Sequence, residues 1–179
     1  MRRFALGLLA ATALGVGLWW VAGRQSRPTS ASWQAVERDL ATRYGDVPTV
    51  STAALADWLA DSTRAAPVLL DAREPAEYAV SHLPGARRVD PDASAAALRR
   101  FVEPGRPVVV YCSVGVRSAG VAARLRQAGV ADVANLEGSI FRWANEGRPV
   151  VRAGRAVGEV HPYNAVWGAL LDPARRADL

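Results

Sequence analysis

The sequence predicts an α/β fold, a three-layer domain in which helices flank a central, mostly parallel five-stranded sheet. Two observations lead to this prediction. From residue 47 onward, short apolar segments of strand length alternate with amphipathic segments of helical period. The segments at residues 67–71 and 108–111 are apolar without alternation, which is typical of parallel strands that helices cover on both faces. Glycine and proline separate these segments, as they do at turns.

Each element has a local justification. The predicted strands lie at residues 47–50, 67–71, 87–89, 108–111 and 132–134. The predicted helices lie at residues 33–44, 51–61, 74–80, 92–101, 117–128 and 137–145. Ser32, Ser51 and Asp92 precede three of these helices and carry side chains suited to N-capping. Pro75 falls in a first helical turn, where its missing N–H costs nothing.

The N-terminal segment, residues 1–23, has the properties of a membrane anchor. Arg2 and Arg3 precede an uncharged run over residues 4–23, which is long enough to cross a hydrocarbon core of ~30 Å as a helix. Trp19 and Trp20 lie at its far end, where an aromatic belt belongs. A cleaved signal peptide is the alternative, but its apolar core spans only about 7–15 residues. We therefore expect an uncleaved single-pass transmembrane helix.

The orientation of this anchor depends on weak signals. Arginines flank the apolar run on both sides, so the positive-inside rule does not decide between the two orientations. The N-terminal tail is very short, and this favours an extracytoplasmic globular domain. We expect a linker with the short amphipathic helix at residues 24–46, the main domain at residues 47–151, and an extension at residues 152–179 with an irregular segment and a short helix.

Composition excludes several classes of function. The formal net charge is +5, but the 22 basic residues are scattered among 17 acids, so nucleic-acid binding is not expected. The single cysteine excludes an internal disulfide and a multi-cysteine metal site. The two histidines, His82 and His161, have no second ligand pattern near them. We therefore expect no metal and no other cofactor.

That single cysteine, Cys112, is the candidate nucleophile. It follows a predicted strand and precedes a loop with Gly115, Arg117 and Ser118 that leads into a helix. Backbone N–H groups of such a loop, together with a nearby arginine, stabilise a thiolate and so lower the pKa of the thiol. The alternative is a buried cysteine that acts as a small hydrophobic side chain. The strand–loop–helix context favours the nucleophile.

Three motifs resemble those of the rhodanese family of sulfurtransferases. The run Cys-Ser-Val-Gly-Val-Arg at residues 112–117 resembles the family's Cys-x-x-Gly-x-Arg loop. Residues 71–78, followed by residues 82–86, resemble its first signature, Asp-x-Arg-x-x-x-Glu-[Phe/Tyr] and then His-[Ile/Leu]-Pro-Gly-Ala. Residues 136–150 resemble its closing segment. The resemblance covers about residues 47–151, and the run at residues 161–168 resembles extensions found on some bacterial members.

The resemblance implies covalent sulfur transfer. Cys112 would take a sulfane sulfur from a small donor of the thiosulfate type, form a persulfide, and pass the sulfur to a thiophilic acceptor such as cyanide, a thiol or an acceptor protein. The backbone of the loop from Ser113 through Val114, Gly115 and Val116 to Ser118 would hold the persulfide, and Arg117 would supply positive charge. The alternative is a non-catalytic rhodanese-like module that binds a partner or senses redox state.

Two further features bear on the substrate. Four residues separate Cys112 from Arg117, one fewer than in phosphatases and arsenate reductases of related design, which favours sulfur over a tetrahedral oxyanion. Ser113 and Val114 are neutral, whereas many thiosulfate-using members place a basic residue directly after the cysteine, so thiosulfate and cyanide need not be the physiological pair.

Two residues of the first signature are weaker candidates for the site. Asp71 is expected either to orient the cysteine loop or to cap the next helix. Arg73 is expected either to attract an anionic donor or to pair with Glu77, which lies four residues further along the chain.

Overall fold

The structure, a computed structural model, describes residues 31–178. The predicted transmembrane segment at residues 1–23 lies outside the described residues. Within residues 31–178, no helix is both long enough and apolar enough to cross a membrane.

A parallel sheet of five strands forms the centre of the domain, as predicted. The strands are β1 (Thr49–Val50), β2 (Val68–Asp71), β3 (Arg87–Arg88), β4 (Val108–Tyr111) and β5 (Val133–Leu136). They lie in the order β1-β5-β4-β2-β3, and each neighbouring pair is parallel. This order puts β4 at the centre, so the residue that follows β4 lies at the middle of the sheet's carboxyl edge.

Helices cover both faces of this sheet. The helices are α1 (Trp33–Tyr44), α2 (Thr52–Ala60), α3 (Pro75–Val80), α4 (Ala95–Arg99), α5 (Val116–Gln127), α6 (Ser139–Asn145) and α7 (Ala165–Gly168), and a 3-10 helix follows at Pro173–Arg175. Alternate residues of β4 enter two separate hydrophobic clusters: Val109 and Tyr111 in one, Val108 and Val110 in the other. Both faces of β4 are therefore buried, which explains its unbroken apolar run.

Serine caps fix the start of several helices. Ser32 and Ser51 cap α1 and α2, as predicted: each hydroxyl accepts the N–H of the third residue of its helix, Ala35 and Ala54. The prediction for α4 was wrong: Ser94, not Asp92, is its cap, and the helix ends at Arg99. The reason is that Asp90 accepts the N–H of Asp92, which closes a turn ahead of the helix.

The start of α6 also differs from the prediction. The helix begins at Ser139, not at Glu137, because the N–H of Glu137 still bonds to the Val50 carbonyl of the neighbouring strand. Gly138 and Ser139 then adopt positive φ angles of 64° and 51°. This abrupt reversal brings the first turn of α6 against the carboxyl end of β4.

Sequence analysis did not predict an antiparallel hairpin that follows the sheet. Its strands are β6 (Val150–Arg152) and β7 (Arg155–Val157), which pair with each other, and Val151 of β6 also forms an antiparallel bridge with His82. The two residues between them, Ala153 and Gly154, both have positive φ, as a tight hairpin turn requires. Asparagine or aspartate is usual at the first of these positions. Because alanine stands there, the sequence did not indicate a hairpin turn.

Candidate active site

Cys112 is the first residue after β4 and is held by the start of α6. Its N–H donates to Ser139 Oγ at 3.2 Å, and its carbonyl accepts the N–H of Ile140 at 3.1 Å. The next carbonyl, that of Ser113, accepts the N–H of Phe141 at 3.1 Å. The backbone of the cysteine loop is thus held by hydrogen bonds to the start of α6.

The Cys112 thiol lies in a polarising environment. The Gly115 N–H donates to Cys112 Sγ at 3.1 Å. Burial raises the pKa of the thiol, but the charge of Arg117 and hydrogen-bonding groups of Ser118 and Gly115 outweigh burial, so the pKa of Cys112 lies below its ordinary value. A larger thiolate fraction makes the sulfur a better nucleophile near neutral pH.

Gly115 has a conformation that this loop needs. Its φ is 114° and its ψ is −12°, outside the regions that L residues adopt. Asn135 Nδ2 donates to the Gly115 carbonyl at 3.1 Å, and Ser118 Oγ donates to Asn135 Oδ1 at 2.6 Å. The buried Asn135 therefore fixes the turn from below. Sequence analysis missed Asn135; its only signal is a polar residue in an otherwise apolar strand.

Replacing Gly115 by alanine should weaken both the loop and the reaction. Strain at a sparsely populated backbone conformation costs about 1–3 kcal/mol, and the added Cβ would contact Leu40 Cδ1 at 3.4 Å and Asn135 Nδ2 at 3.5 Å. We expect lower stability in denaturant unfolding and slower alkylation of Cys112. Gly129→Ala is a matched control, since Gly129 also has positive φ (85°) but has open space around it and lies outside the loop. Equal alkylation rates in wild type and Gly115→Ala would contradict this role.

Arg117 binds Glu77 and Ser113 beside the thiol. Its two terminal nitrogens lie 2.7 and 2.8 Å from the Glu77 carboxylate, and Nη2 donates to Ser113 Oγ at 2.9 Å. Ser113 Oγ also donates to Glu77 Oε1 at 2.7 Å. Burial raises the pKa of Glu77, but the Arg117 guanidinium, together with hydrogen bonds from the Glu74 N–H and the Ser113 hydroxyl, outweighs burial and holds that pKa below its usual range. Glu77 is therefore a member of the site, whereas the sequence had suggested Arg73 as its partner.

Asp71 and Arg73 form a separate, fully buried pair. The Arg73 guanidinium donates to the Asp71 carboxylate at 2.9 and 2.7 Å and to the Ser81 carbonyl at 2.6 Å. The expected pairing of Arg73 with Glu77 was therefore wrong. Both side chains have zero exposed surface and neither lines the pocket above the thiol. They brace the segment after β2, which carries Glu77.

A pocket of about 170 Å³ opens over the cysteine loop. It is lined by Cys112, Ser113, Val114, Val116, Arg117, Tyr163 and Trp167. The first five were predicted as site residues. The two aromatic residues come from the C-terminal extension, and sequence analysis noted their run without assigning it to the site. The other two predicted loop residues, Gly115 and Ser118, do not line the pocket; they form hydrogen bonds with Asn135 beneath the loop.

The C-terminal segment is firmly packed on the domain. Val160 and Leu171 are buried in one of the two hydrophobic clusters. Asn145 of α6 donates to the Leu170 carbonyl at 2.9 Å and accepts the N–H of Asp172 at 2.8 Å. Both hydrogen bonds join α6, which clamps Cys112, to the segment that carries Tyr163 and Trp167. This segment is therefore a fixed wall of the pocket.

Fold and site together define a class of protein: a parallel α/β domain with one activated cysteine at the carboxyl end of its central strand. Comparison with known proteins identifies the family. The sequence model of the Rhodanese-like domain matches residues 53–146, about half of the chain. The chain belongs to the rhodanese-like domain family, as its motifs suggested.

Several curated relatives carry sulfurtransferase names, and two of them show the range of similarity. The "Sulfurtransferase" of Allochromatium vinosum is 37% identical over 84 residues, which are 47% of this chain and 78% of that protein. The "Probable adenylyltransferase/sulfurtransferase MoeZ" of Mycobacterium tuberculosis is 33% identical over 116 residues, 64% of this chain. The match spans only 29% of the length of MoeZ.

A solved structure agrees with this assignment. The thiosulfate sulfurtransferase of Pseudomonas aeruginosa superposes with a TM-score of 0.55 at 26% identity. The match covers 69% of this chain and 23% of that one. It supports the fold and the family.

Proposed function

We propose that this protein is a sulfurtransferase that carries a sulfane sulfur on Cys112 as a persulfide. The observation that carries the proposal is the thiol itself: it receives the Gly115 N–H, lies near Arg117, and faces a pocket of substrate size. The sulfurtransferase names of the relatives support the same chemistry.

The proposed reaction has two displacement steps. The Cys112 thiolate attacks the outer sulfur of the donor, an S–S bond forms, and the donor's own S–S bond breaks with its electron pair leaving on the inner sulfur. An acceptor thiolate or cyanide then attacks the terminal sulfur, and Cys112 departs as a thiolate. The Gly115 N–H, which donates to Cys112 Sγ at 3.1 Å, stabilises the anionic persulfide between the steps.

Replacing Cys112 by serine should abolish sulfur transfer. We expect the full-length protein, purified in detergent and first discharged with cyanide, to gain the mass of one sulfur on Cys112 when given a sulfane-sulfur donor. Cyanide should remove that sulfur as thiocyanate. Cys112→Ser should give only the uncatalysed rate, because a hydroxyl forms no persulfide. Transfer that survives this substitution overturns the mechanism, and a Cys112 that never gains sulfur points to the non-catalytic binding module.

We also propose that residues 4–23 anchor the protein and that its domain lies on the extracytoplasmic side. The apolar run and the short N-terminal tail support this proposal. A reporter fused after Leu179 that is active only outside the cytoplasm should give a signal, and the fusion should sediment with membranes. A signal only from a cytoplasmic reporter would contradict the orientation.

A further inference from the structure

The charge around the thiol is unfavourable for a dianionic donor. Among the described residues that line the pocket, Arg117 alone carries a formal positive charge. That charge is already matched by Glu77, whose carboxylate accepts both terminal nitrogens of Arg117. When Cys112 is ionised, the three groups together carry one net negative charge.

Donors differ strongly in the charge that they bring. Thiosulfate and the Cys112 thiolate together carry three negative charges, and the same three remain on the cysteine persulfide anion and the departing sulfite. The protonated form of an organic persulfide, R–S–SH, brings no charge on its sulfur atoms: the thiolate attacks the outer sulfur, the electron pair leaves on R–S⁻, and Cys112 becomes the protonated persulfide. Like charges at short range repel each other more strongly in partly buried surroundings than in bulk water.

The walls of the pocket match an organic group. Tyr163 and Trp167 form one side, and Val114 and Val116 extend the apolar surface. The Tyr163 ring lies over Arg117, with 4.8 Å between the guanidinium carbon and the ring centroid. One face of the guanidinium is thereby covered by an aromatic ring.

Local bonds hold the aromatic wall in place. Tyr163 has a φ of 66°, rare for a tyrosine, and its N–H donates to His161 Nδ1 at 2.9 Å. Asn164 Oδ1 accepts the N–H of Trp167 at 3.0 Å and so caps α7. At Gly168, an added Cβ would come within 2.9 Å of Pro162 Cβ, so close packing fixes this short helix. A strained tyrosine that is held by neighbouring bonds at a pocket is a common mark of a functional position.

We infer that Tyr163 and Trp167 select an organic persulfide as the sulfur donor, in preference to thiosulfate. This inference rests on the proposed sulfurtransferase function. The aromatic pair binds the organic group of the donor. The ion pair between Glu77 and Arg117 has no net charge, so it attracts a dianion weakly. Neither aromatic residue falls within the region that the family model matches, residues 53–146.

The test compares two donors on the same full-length protein. Cysteine persulfide and thiosulfate are each mixed with discharged protein, and the rate at which Cys112 gains sulfur is followed by mass spectrometry. Each rate is divided by the rate at which free N-acetylcysteine reacts with the same donor, which removes the donors' intrinsic reactivity. The variants are Tyr163→Ala, Trp167→Ala and Glu77→Gln. Val166→Ala is the control, since Val166 lies beside Trp167 in α7, is 41% exposed and does not line the pocket.

For wild type we expect a normalised rate that is at least about tenfold higher with cysteine persulfide. Tyr163→Ala and Trp167→Ala should each lower the cysteine persulfide rate about two- to tenfold, the range of an aromatic contact, and leave the thiosulfate rate unchanged or raised. Glu77→Gln should raise the thiosulfate rate relative to the cysteine persulfide rate. Val166→Ala should match wild type with both donors.

The outcomes of this experiment distinguish a failure of the donor selection from a failure of the proposed function. A higher normalised rate with thiosulfate, or equal losses with both donors in the aromatic variants, overturns the donor selection and leaves sulfur transfer standing. If Cys112 gains sulfur from neither donor, the proposed function fails and the inference fails with it. Thermal unfolding of each variant shows whether a lost rate reflects lost structure, and the exposed Tyr163 keeps the test valid if Trp167→Ala does not fold.

Discussion

Replacing Asp71 by asparagine is expected to lower the free energy of unfolding by about 3–5 kcal/mol, the cost of removing one partner of a buried ion pair. The Arg73 guanidinium has zero exposed surface and depends on Asp71 for two hydrogen bonds. Without the carboxylate, its charge stays buried and uncompensated. Denaturant unfolding followed by fluorescence measures the change.

An exposed ion pair of the same chain provides the control. Glu103 pairs with Arg87 and Arg106, and all three side chains are between 37% and 43% exposed. Glu103→Gln should change stability far less than Asp71→Asn, because water already solvates these charges. Similar losses of unfolding free energy in the two variants would show that burial does not make the Asp71–Arg73 pair more stabilising than an exposed pair.

Replacing Arg117 by methionine is expected to raise the pKa of Cys112 and to slow its alkylation at neutral pH. Burial of the thiol raises this pKa, and Arg117 is the largest of the contributions that lower it. Since the thiolate is the reactive form, the alkylation rate rises as pH rises through the pKa of the thiol. The midpoint should therefore lie at lower pH in wild type than in Arg117→Met. Sulfur transfer at neutral pH should fall by roughly ten- to a hundredfold, the range of an interaction with a charged group of about 1.5–3 kcal/mol.

The single variant also leaves Glu77 buried without its cation, and that carboxylate would itself raise the pKa of Cys112. The double variant Arg117→Met with Glu77→Gln removes both charges. Its alkylation midpoint should lie above that of wild type and below that of Arg117→Met. A double variant with the wild-type midpoint would show that the guanidinium is not what stabilises the thiolate, and that the loop N–H groups suffice.

Much of the fold could be predicted because its signals are local. The apolar run of β4 predicted a strand covered on both faces, and both faces are buried. The caps of α1 and α2 and the proline at the start of α3 were also read correctly from single side chains. Where two candidates competed, as Asp92 and Ser94 did for α4, only the turn ahead of the helix decided between them.

Side-chain pairing in the site could not be predicted, because partners distant in sequence compete. Spacing along a helix suggested a pair between Arg73 and Glu77, yet the fold brings Arg117 to Glu77 and leaves Arg73 with Asp71. The same holds for Asn135 beneath the loop: its partners lie 17 and 20 residues away, on another element.

By itself, the sequence indicated the position of the candidate nucleophile and the family to which the chain belongs. A strand, a cysteine, a glycine with the freedom to turn and an arginine at the start of a helix are contiguous in the chain, so Cys112 and Arg117 could be placed in one loop. Only the tertiary structure decided the surroundings of that loop. It places Glu77 beside Arg117, where the two charges neutralise each other. It also places Tyr163 and Trp167 of the C-terminal segment in the lining of the pocket. The physical reason is that local backbone preferences act over a few residues, whereas charge pairing and burial depend on which distant segments the packed sheet and helices bring together.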